Sequence, residues 1–530
     1  MICNVRNLPF IARFGATTLV FALAAGSFAT AAPAMHPSTL GNRAHLKGRS
    51  NLPTPIQHVI VIVQENRSVD DLFHGYPDGS SFPGLADTVQ KDPVTGNVLQ
   101  LCHLDQTLGC PGKGQNANCG LSHNHIDEIV SGQYIGGFAG EYDFGKMDGF
   151  QMQQGGGTCT NVGGVNPAFS YVPEGDISQY WGFAATYGLV DHALQSNSGP
   201  SFPGHQYLIA GQAAGLETNG DINPSLPWSI DENNVSSGNT SCINSPLPFA
   251  TSISLSSPFP GVENEDEITP CNNYKTIFDE LPSAGNTPTW RYYTNQEAGL
   301  WGGPSAVRQD CRGVNFSTSA CNNPQIINCS PQALIDFIDN ASVPLADVTY
   351  VIPKSTWSDH PTKASAGPNW VTWLVNTIGE SPYWNNTTII VTWDDWGGWY
   401  DHYQPPSGVA PNQAIINCAT NGSLRTPASC GFRVPMVVIG PYVKSGYVDT
   451  SITNAAGSIL LYIEHTFNLP TLTPARTTGE LGTADTWTKD DLMNMMNFSQ
   501  ANGFVPQPTT TPSSYFTGSG CSDPGSPGVD

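Results

Sequence analysis

The chain has 530 residues and carries 20 Lys and Arg against 43 Asp and Glu, a formal net charge of −23 at pH 7. A field of that sign repels nucleic acid and anionic membranes at long range, so we expect no nucleic-acid partner. Apolar residues make up 39% of the chain and charged residues 12%, with 55 Gly and 43 Pro. This composition predicts a loop-rich globular protein with a core, and it excludes a disordered chain.

The first 34 residues predict a secretory signal peptide. Arg6 and Arg13 give a basic start, residues 17–28 are apolar, and small residues at 29–34 offer cleavage sites. No other stretch approaches the roughly 18 uninterrupted apolar residues that a membrane span needs. We therefore expect an exported protein, secreted or periplasmic, without a transmembrane segment.

Cysteine usage agrees with export. Thirteen Cys less Cys3 of the signal leaves twelve, an even number that favours disulfides in an oxidising compartment. Cys418 and Cys430 are a plausible local pair, and the spacing does not determine the other pairs. None of the spacings matches the tight pairs of a zinc ribbon, so we expect any metal ligands to lie elsewhere.

Strands and helices alternate along the chain. Val and Ile runs bounded by turn residues predict strands that are buried on both faces, as in parallel sheets. The predicted strands are 58–64, 348–353, 387–393 and 434–440, and the predicted helices are 177–188, 204–214, 331–340 and 368–379. This order predicts an α/β fold around a mostly parallel sheet. We expect one domain over 51–505, a surface insertion over 216–270, and a Pro/Ser/Thr/Gly-rich tail over 506–530.

Polar side chains directly follow two of the predicted strands. Glu65 and Asn66 come after the first strand, and Asp394 and Asp395 come after the third. Ligands of open α/β sheets bind beyond the carboxyl ends of the strands, so these four side chains are candidates for one site. Because they offer oxygen ligands, we expect a divalent hard cation such as Mg²⁺, Ca²⁺ or Mn²⁺.

Ser201 is the candidate nucleophile. It precedes the apolar helical run that begins near residue 204, and Pro203 would lie in the first turn. Free amide donors and the helix dipole at such a position favour a phosphate. A cation that contacts the hydroxyl would make it a competent nucleophile. An ordinary helix-capping serine explains the same pattern when Ser201 is considered alone.

Three histidines in polar, turn-like contexts are candidates for charge stabilisation and proton transfer: His123, His360 and His402. Phosphoryl transfer needs charge stabilisation on the equatorial oxygens and a proton for the leaving group, and histidine can do both near neutral pH. A surface or capping role is the alternative for each of them. His123 and His125 could instead bind a metal as a pair.

Four motifs in a fixed order make the chain resemble a known family. They are Glu65-Asn66-Arg67-Ser68-x-Asp70, Gly145-Lys146-Met147-Asp148-Gly149-Phe150, Ser358-Asp359-His360-Pro361 and Asp394-Asp395-x-Gly397-Gly398-x-Tyr400-Asp401-His402. Over about residues 56–470 the chain resembles the bacterial phosphoesterase family that unites phosphatidylcholine-type phospholipases C with secreted acid phosphatases. The resemblance implies an alkaline-phosphatase-like fold, which is a three-layer α/β/α sandwich with a mostly parallel central sheet.

The resemblance also implies the composition of the site. The metal would be bound by Glu65, Asn66, Asp394 and Asp395 together with the nucleophile Ser201. His123 and His360 would line the phosphate pocket, and His402 matches its motif without an assigned role.

Two departures from the family pattern bear on the substrate. Asp395 and Trp396 stand where many members have Glu and His, and the paired aspartates favour a phosphatase. Gly204 and His205 stand where Asn and Arg are common, so an arginine that could clamp the phosphate is missing.

Together these features predict a secreted, metal-dependent, acid-phosphatase-like hydrolase that cleaves phosphate monoesters through a phosphoserine intermediate. The ligand would be a small phosphate ester or a phospholipid head group. One alternative is a phospholipase C that hydrolyses phosphatidylcholine-type diesters. Trp393, Trp396, Trp399 and Tyr400 could hold its choline group by cation–π contact, or could be ordinary core and cleft-wall aromatics.

Two further alternatives remain. A non-catalytic, metal-containing secreted binding protein would need only a structural metal site. A sulfatase is a weaker match, because its Cys/Ser-x-Pro-x-Arg motif meets His205 in place of the arginine.

Overall fold

The computed structural model describes residues 54–517 with internal gaps. The longest stretches outside the description are 1–53, 77–89, 104–127, 151–167, 214–227, 231–240, 329–344, 406–429, 473–482 and 518–530. The predicted signal peptide, the predicted helix 331–340, His123 and Cys418 therefore lie outside the described residues. In the described part of the chain, no helix has the length and apolar character needed to cross a membrane.

Eight strands form the main sheet. In chain order they are β1 His58–Gln64, β2 Gly188–Val190, β3 Trp290–Thr294, β4 Ile326–Asn328, β5 Val348–Val351, β6 Thr387–Trp393, β7 Met436–Ile439 and β8 Tyr447–Asp449. Their order across the sheet is β4-β3-β5-β1-β6-β7-β2-β8. In the described sheet β7 runs antiparallel to both of its neighbours, and the other strands share one direction. The prediction of an α/β fold with a mostly parallel sheet is confirmed.

Helices surround the sheet. They are α1 Val69–Phe73, α2 Gly137–Tyr142, α3 Glu174–Thr186, α4 Ser201–Ala210, α5 Ile277–Glu280, α6 Arg308–Cys311, α7 Gly367–Gly379, α8 Ala455–Phe467, α9 Ala484–Trp487 and α10 Ser513–Thr517. Single 3-10 turns occur at Asp143–Gly145, Gly303–Ala306, Ser355–Trp357, Trp384–Asn386 and Met493–Met495.

The longer helices cover both faces of the sheet. Thr388 of β6 bonds Tyr462 of α8 at 2.8 Å, and α8 packs against α4. Trp393 lies five positions further along β6 and therefore points to the opposite face, where its ring packs against Tyr180 of α3 at 5.1 Å. There Gln179 of α3 bonds Asn369 of α7 at 3.5 Å. The helices and the sheet thus form the predicted three-layer sandwich.

The predicted strand positions match the structure with small differences. The segments 58–64 and 387–393 are strands over those residues, and every residue in both is buried. The predicted strand 434–440 begins only at Met436, because Pro435 cannot donate a hydrogen bond to the ladder. Its antiparallel direction could not be predicted, since a run of apolar residues does not encode strand direction.

Short strands outside the main sheet form small pairs. They are Gln90–Lys91 with Val98–Leu99, Cys102–His103 with Ser170–Tyr171, Glu128–Val130 with Gln133–Ile135, Ala193–Leu194 with Thr453–Asn454, and Val314–Asn315 with Ala320–Cys321. The predicted insertion 216–270 contains an antiparallel sheet of Trp228–Ile230, Ala250–Ser254 and Glu263–Asp266.

Disulfides occur in the described residues, as the cysteine count predicts. Cys242 pairs with Cys271, and Cys311 pairs with Cys321. Cys430 is also disulfide-bonded. Because Cys418 is not described, the bridge between Cys418 and Cys430 stays a prediction.

The first part of the predicted tail packs on the domain. The backbone of Gln507 exchanges two hydrogen bonds with the Asn376 side chain of α7, at 2.8 and 3.2 Å. Phe516 is buried between Trp357 and Trp373, with ring centroids 5.5 and 5.2 Å away. The segment 506–517 is therefore held against the domain surface by Gln507 and Phe516.

Glu464 of α8 and Asp485 of α9 form a buried acid pair beside the C-terminal end of α4. Burial, followed by the charge of Asp485, raises the pKa of Glu464 to about 9 from an ordinary value of 4.5. Between those two values the folded state holds a proton that the unfolded chain has lost. The free energy of unfolding therefore falls as pH rises through this window, by up to about 1.4 kcal/mol per pH unit.

We expect the Glu464→Gln variant to unfold with a shallower pH dependence than the unmodified protein and to be more stable at pH 8. The amide keeps the shape of the protonated acid and cannot ionise. Urea unfolding at pH 5, 6.5 and 8 measures the slope, and Glu174→Gln, at an exposed position, is the control. Identical slopes for Glu464→Gln and the unmodified protein would show that this pair does not set the pH dependence.

Candidate active site

The ends of β1 and β6 place the two polar stretches side by side. The strands pair in register from His58 with Thr387 to Gln64 with Trp393. The pairing continues past both ends, since Asp394 N donates to Gln64 O at 3.0 Å. Glu65 and Asn66 therefore emerge next to Asp394 and Asp395 at the carboxyl edge of the sheet, over 320 residues apart in the chain.

Asn66 joins the two aspartates. Its backbone N donates to Asp394 Oδ1 at 3.0 Å, and its Nδ2 donates to Asp395 Oδ1 and Oδ2 at 3.1 and 3.2 Å. Asn66 adopts a φ of +59°, a left-handed conformation that Asn tolerates better than most residues. A Cβ on Gly397 would lie 2.4 Å from Asn66 O. Glycine is thus required at position 397 for the two loops to meet.

Ser201 lies over these carboxylates. It is the first residue of α4, it is fully buried, and its Oγ donates to Asp395 Oδ2 at 3.1 Å. A Cβ on Gly204 would lie 2.8 Å from Asp394 O. Glycine at position 204 lets the first turn of α4 approach the end of β6, which brings the serine hydroxyl into contact with Asp395.

His205 faces the same site one turn further along α4, and sequence reasoning did not place it there. Its Nε2 lies 3.1 Å from Glu65 Oε1 and 3.8 Å from Asp394 Oδ2, and the side chain is buried. In the sequence, His205 is notable because it stands where members of the resembled family commonly have an arginine. The signal that could have found it is its spacing of four from Ser201, which puts both on one helix face.

The donor set fits a divalent cation. Glu65, His205 and Asp394 each offer a ligand atom, and these atoms lie within 4.8 Å of one another. Asp394 Oδ2 is buried and accepts no hydrogen bond from the residues that the structure describes. Buried carboxylates that converge on one point repel each other and need a positive charge between them. A cation among these side chains would satisfy that need.

The loop that carries His360 is fixed to the end of β1. The Asp359 N–H donates to Gln64 Oε1 at 2.8 Å, and Arg67 Nε donates to Asp359 O at 2.9 Å. Burial raises the pKa of Asp359 to about 7, against the charge of Arg67. The His360 ring is half-buried and lies 6.3 Å from the Trp301 ring.

Trp301 connects this loop with His205. Its backbone O accepts a hydrogen bond from Tyr292 Oη at 2.7 Å, and Tyr292 Oη lies 3.5 Å from His205 Nδ1. Tyr292 and Trp301 thus link His205 to the ring beside His360.

His402 belongs to a different hydrogen-bond cluster. Its Nδ1 lies 2.8 Å from Asp70 Oδ2. Arg433 donates to Asp70, Asp191 and Asp401, each at 2.9 Å. Burial alone would lower the pKa of His402, but the hydrogen bond and charge of Asp70 raise it. Asp70, Asp401 and His402 could also offer ligands to a metal, but the Arg433 guanidinium already supplies their positive charge.

The aromatic residues after β6 are core residues. Trp393, Trp396, Trp399 and Tyr400 are all buried, with at most 3% of their surface exposed. The three indole N–H groups donate to Asp359, Glu141 and Asn66, at 3.1, 2.7 and 3.1 Å. These rings therefore present no open face to a choline group.

The fold and the site define an α/β protein with a candidate cation site of buried carboxylates and a serine at the carboxyl edge of its sheet. The chain belongs to the Phosphoesterase family, whose sequence model matches residues 56–470. This match confirms the family resemblance that the four motifs predict.

Relatives in this family carry the name phospholipase C. The chain is 24% identical over 490 residues to a non-hemolytic phospholipase C of Pseudomonas aeruginosa, a match that covers 86% of this chain and 60% of that protein. It is 32% identical over 439 residues to phospholipase C A of Mycobacterium tuberculosis, with 79% and 74% covered. The chain spans 53% to 65% of the length of the Pseudomonas and Burkholderia relatives.

A solved structure of a Vibrio parahaemolyticus protein in the alkaline phosphatase superfamily aligns at 12% identity with a TM-score of 0.31. That alignment covers 56% of this chain and 62% of the other.

Proposed function

We propose that this chain is a metal-dependent hydrolase of phosphate esters in which Ser201 is the nucleophile. The observation that carries the proposal is the contact of Ser201 Oγ with Asp395 at the helix N-terminus, directly over the buried carboxylates. Membership of the Phosphoesterase family supports the reaction class. A structural metal site alone would not need a serine in that position.

The bound cation would be held by Glu65, Asn66, Asp394, Asp395 and Ser201. When bound, it would favour the deprotonated serine and neutralise charge on the phosphate. Residues of the chain carry out the proton transfers and the attack on phosphorus.

Asp395 accepts the proton of Ser201 Oγ along the existing 3.1 Å hydrogen bond. Ser201 Oγ then attacks phosphorus, and the bond from phosphorus to the leaving oxygen breaks. The N-terminal amides and dipole of α4 orient the phosphate oxygens. His360 protonates the leaving group, a role for which His123 is the other candidate. Water then hydrolyses the phosphoserine and restores the enzyme.

We propose phosphate monoesters as the substrate class. The aspartate pair at 394 and 395, and the burial of the aromatic rings that could have held choline, support this choice. A phospholipase C acting on phosphatidylcholine-type diesters is the second candidate, and the names of the relatives favour it.

We expect the purified protein to hydrolyse a chromogenic phosphate monoester faster than a phosphorylcholine diester. A chelator should abolish both reactions, because the site depends on a bound cation, and added metal should restore them. Preference for the choline diester would instead support the assignment as a phospholipase C. Activity that resists complete metal removal would overturn the metal-dependent mechanism.

A further inference from the structure

We propose that His205 is a ligand of the site's cation, so that nitrogen as well as oxygen holds the metal and the site prefers a transition metal to Ca²⁺ or Mg²⁺. This inference rests on the proposed function, because the cation is the one that serves Ser201. It changes the all-oxygen ligand set that the sequence predicts.

The first support is the position of the imidazole. His205 follows Ser201 by four residues on α4, so the hydroxyl and the ring lie on one face of the helix. His205 Nε2 lies 3.1 Å from Glu65 Oε1 and 3.8 Å from Asp394 Oδ2. Neighbouring ligands about 2.1 Å from a metal are separated by about 3.0 Å in octahedral coordination and about 3.4 Å in tetrahedral coordination. The 3.1 Å distance lies between these values, and the 3.8 Å distance is slightly longer.

The second support is the environment of the other ring nitrogen. Tyr292 Oη donates its proton to Trp301 O at 2.7 Å, so toward His205 Nδ1, 3.5 Å away, the phenol presents its oxygen lone pairs. This arrangement favours a proton on Nδ1, which leaves the Nε2 lone pair directed at the carboxylates. Metal-binding histidines commonly use their second N–H in this way.

The third support is the unsatisfied oxygen. A lone pair on Nε2 that faces carboxylate oxygens is unfavourable unless a cation lies between them. Asp394 Oδ2 is buried, accepts no hydrogen bond within the described part of the chain and is among the atoms that Nε2 faces. A cation coordinated by Nε2, Glu65 and Asp394 would satisfy these atoms together.

The ligand type sets the metal preference. Carboxylate and carbonyl oxygens suit Mg²⁺, Ca²⁺ and Mn²⁺, whereas imidazole suits Zn²⁺, Fe²⁺, Ni²⁺ and Cu²⁺. A site with Glu65, Asp394 and His205 as ligands should therefore bind Zn²⁺ or Co²⁺ more tightly than Ca²⁺ or Mg²⁺.

The test measures metal binding and not turnover. The metal-stripped protein is titrated with Zn²⁺, Co²⁺, Mg²⁺ and Ca²⁺ by calorimetry, and the visible spectrum of the Co²⁺ form reports the ligands. His205→Gln, which can offer an amide oxygen, should weaken Zn²⁺ binding by at least the roughly 10- to 100-fold that loss of even an outer-shell partner costs. Ca²⁺ and Mg²⁺ affinities should change much less, and the Co²⁺ spectrum should change.

His465→Gln is the matched control, because the side chain of His465 is 55% exposed; its metal affinities should equal those of the unmodified protein. His205→Asn is a second variant in case the glutamine side chain disturbs packing, and circular dichroism checks that each variant is folded.

Unchanged Zn²⁺ affinity and an unchanged Co²⁺ spectrum in a folded His205 variant would overturn the ligand assignment. The proposed function would survive that result if Asp394→Asn still abolished metal binding. If the unmodified protein bound no divalent metal at all, the ligand assignment and the metal-dependent function would fail together.

Discussion

The Ser201→Ala variant is expected to lose phosphoester hydrolysis, with kcat lower by at least about 10⁴-fold, as for nucleophile removal in other hydrolases. Alanine removes the oxygen that attacks phosphorus and leaves α4 intact, because the N-cap position of α4 is Pro200 and alanine is a good helix former. Steady-state kinetics on the preferred ester measures the loss, and thermal unfolding checks the fold.

Ser451→Ala is the matched control, since Ser451 lies on an exposed turn and its side chain bonds Asp449, Asn494 and Asp490. It should keep full activity. A phosphoserine trapped by acid quench with a labelled monoester should appear in the unmodified protein and be absent from Ser201→Ala. Near-normal turnover by Ser201→Ala would remove Ser201 from the mechanism.

The Arg433→Met variant is expected to be destabilised by about 3–5 kcal/mol at pH 7. Arg433 is buried and holds three carboxylates, those of Asp70, Asp191 and Asp401, each at 2.9 Å. Methionine fills similar space but leaves those carboxylates without the guanidinium. The free energy of unfolding, measured by urea denaturation, reports the loss.

Lys275→Met is the control for this variant. Lys275 also forms an ion pair, with Glu280 at 2.9 Å, but its side chain is 53% exposed, and surface pairs of this kind contribute about 1 kcal/mol or less. Arg433→Met should therefore lose several times more free energy of unfolding than Lys275→Met. Equal and small losses would show that the Arg433 cluster is not a major source of stability.

The loss of free energy of unfolding caused by Arg433→Met should be smaller at acidic pH. Burial raises the pKa of Asp401 to about 6 even with Arg433 present, so removal of the arginine leaves a carboxyl that protonates readily below neutral pH. Protonation removes the cost of a buried, unpaired charge. Unfolding at pH 5 should thus show a smaller gap between Arg433→Met and the unmodified protein than unfolding at pH 7.

The sequence predicted those parts of the fold that depend on local pattern. The Val and Ile runs located β1 and β6 to the residue, because a strand that is buried on both faces is made mostly of consecutive apolar residues. Strand direction depends on the path of the connecting segments, so the hydrophobic pattern could not predict that β7 is antiparallel.

The convergence of Glu65, Asn66, Asp394 and Asp395 was predictable, because these residues directly follow two strands of one sheet. His205 was missed because its contact with Glu65 crosses 140 residues and has no local signature. His402 could not be placed from its motif, because its environment is set by Arg433, which lies 31 residues further along the chain.

The packing of Phe516 bears on the order in which the protein can be assembled. Its ring lies against Trp357, and the Trp357 backbone O accepts from Gln64 at the end of β1. Trp357 stands three residues before His360. The turn that presents His360 therefore reaches its final packing only after residue 516 has been synthesised. A nascent chain that already contains β1 and β6 would still lack this support, so the hydrolysis that we propose for this site should arise only late in synthesis.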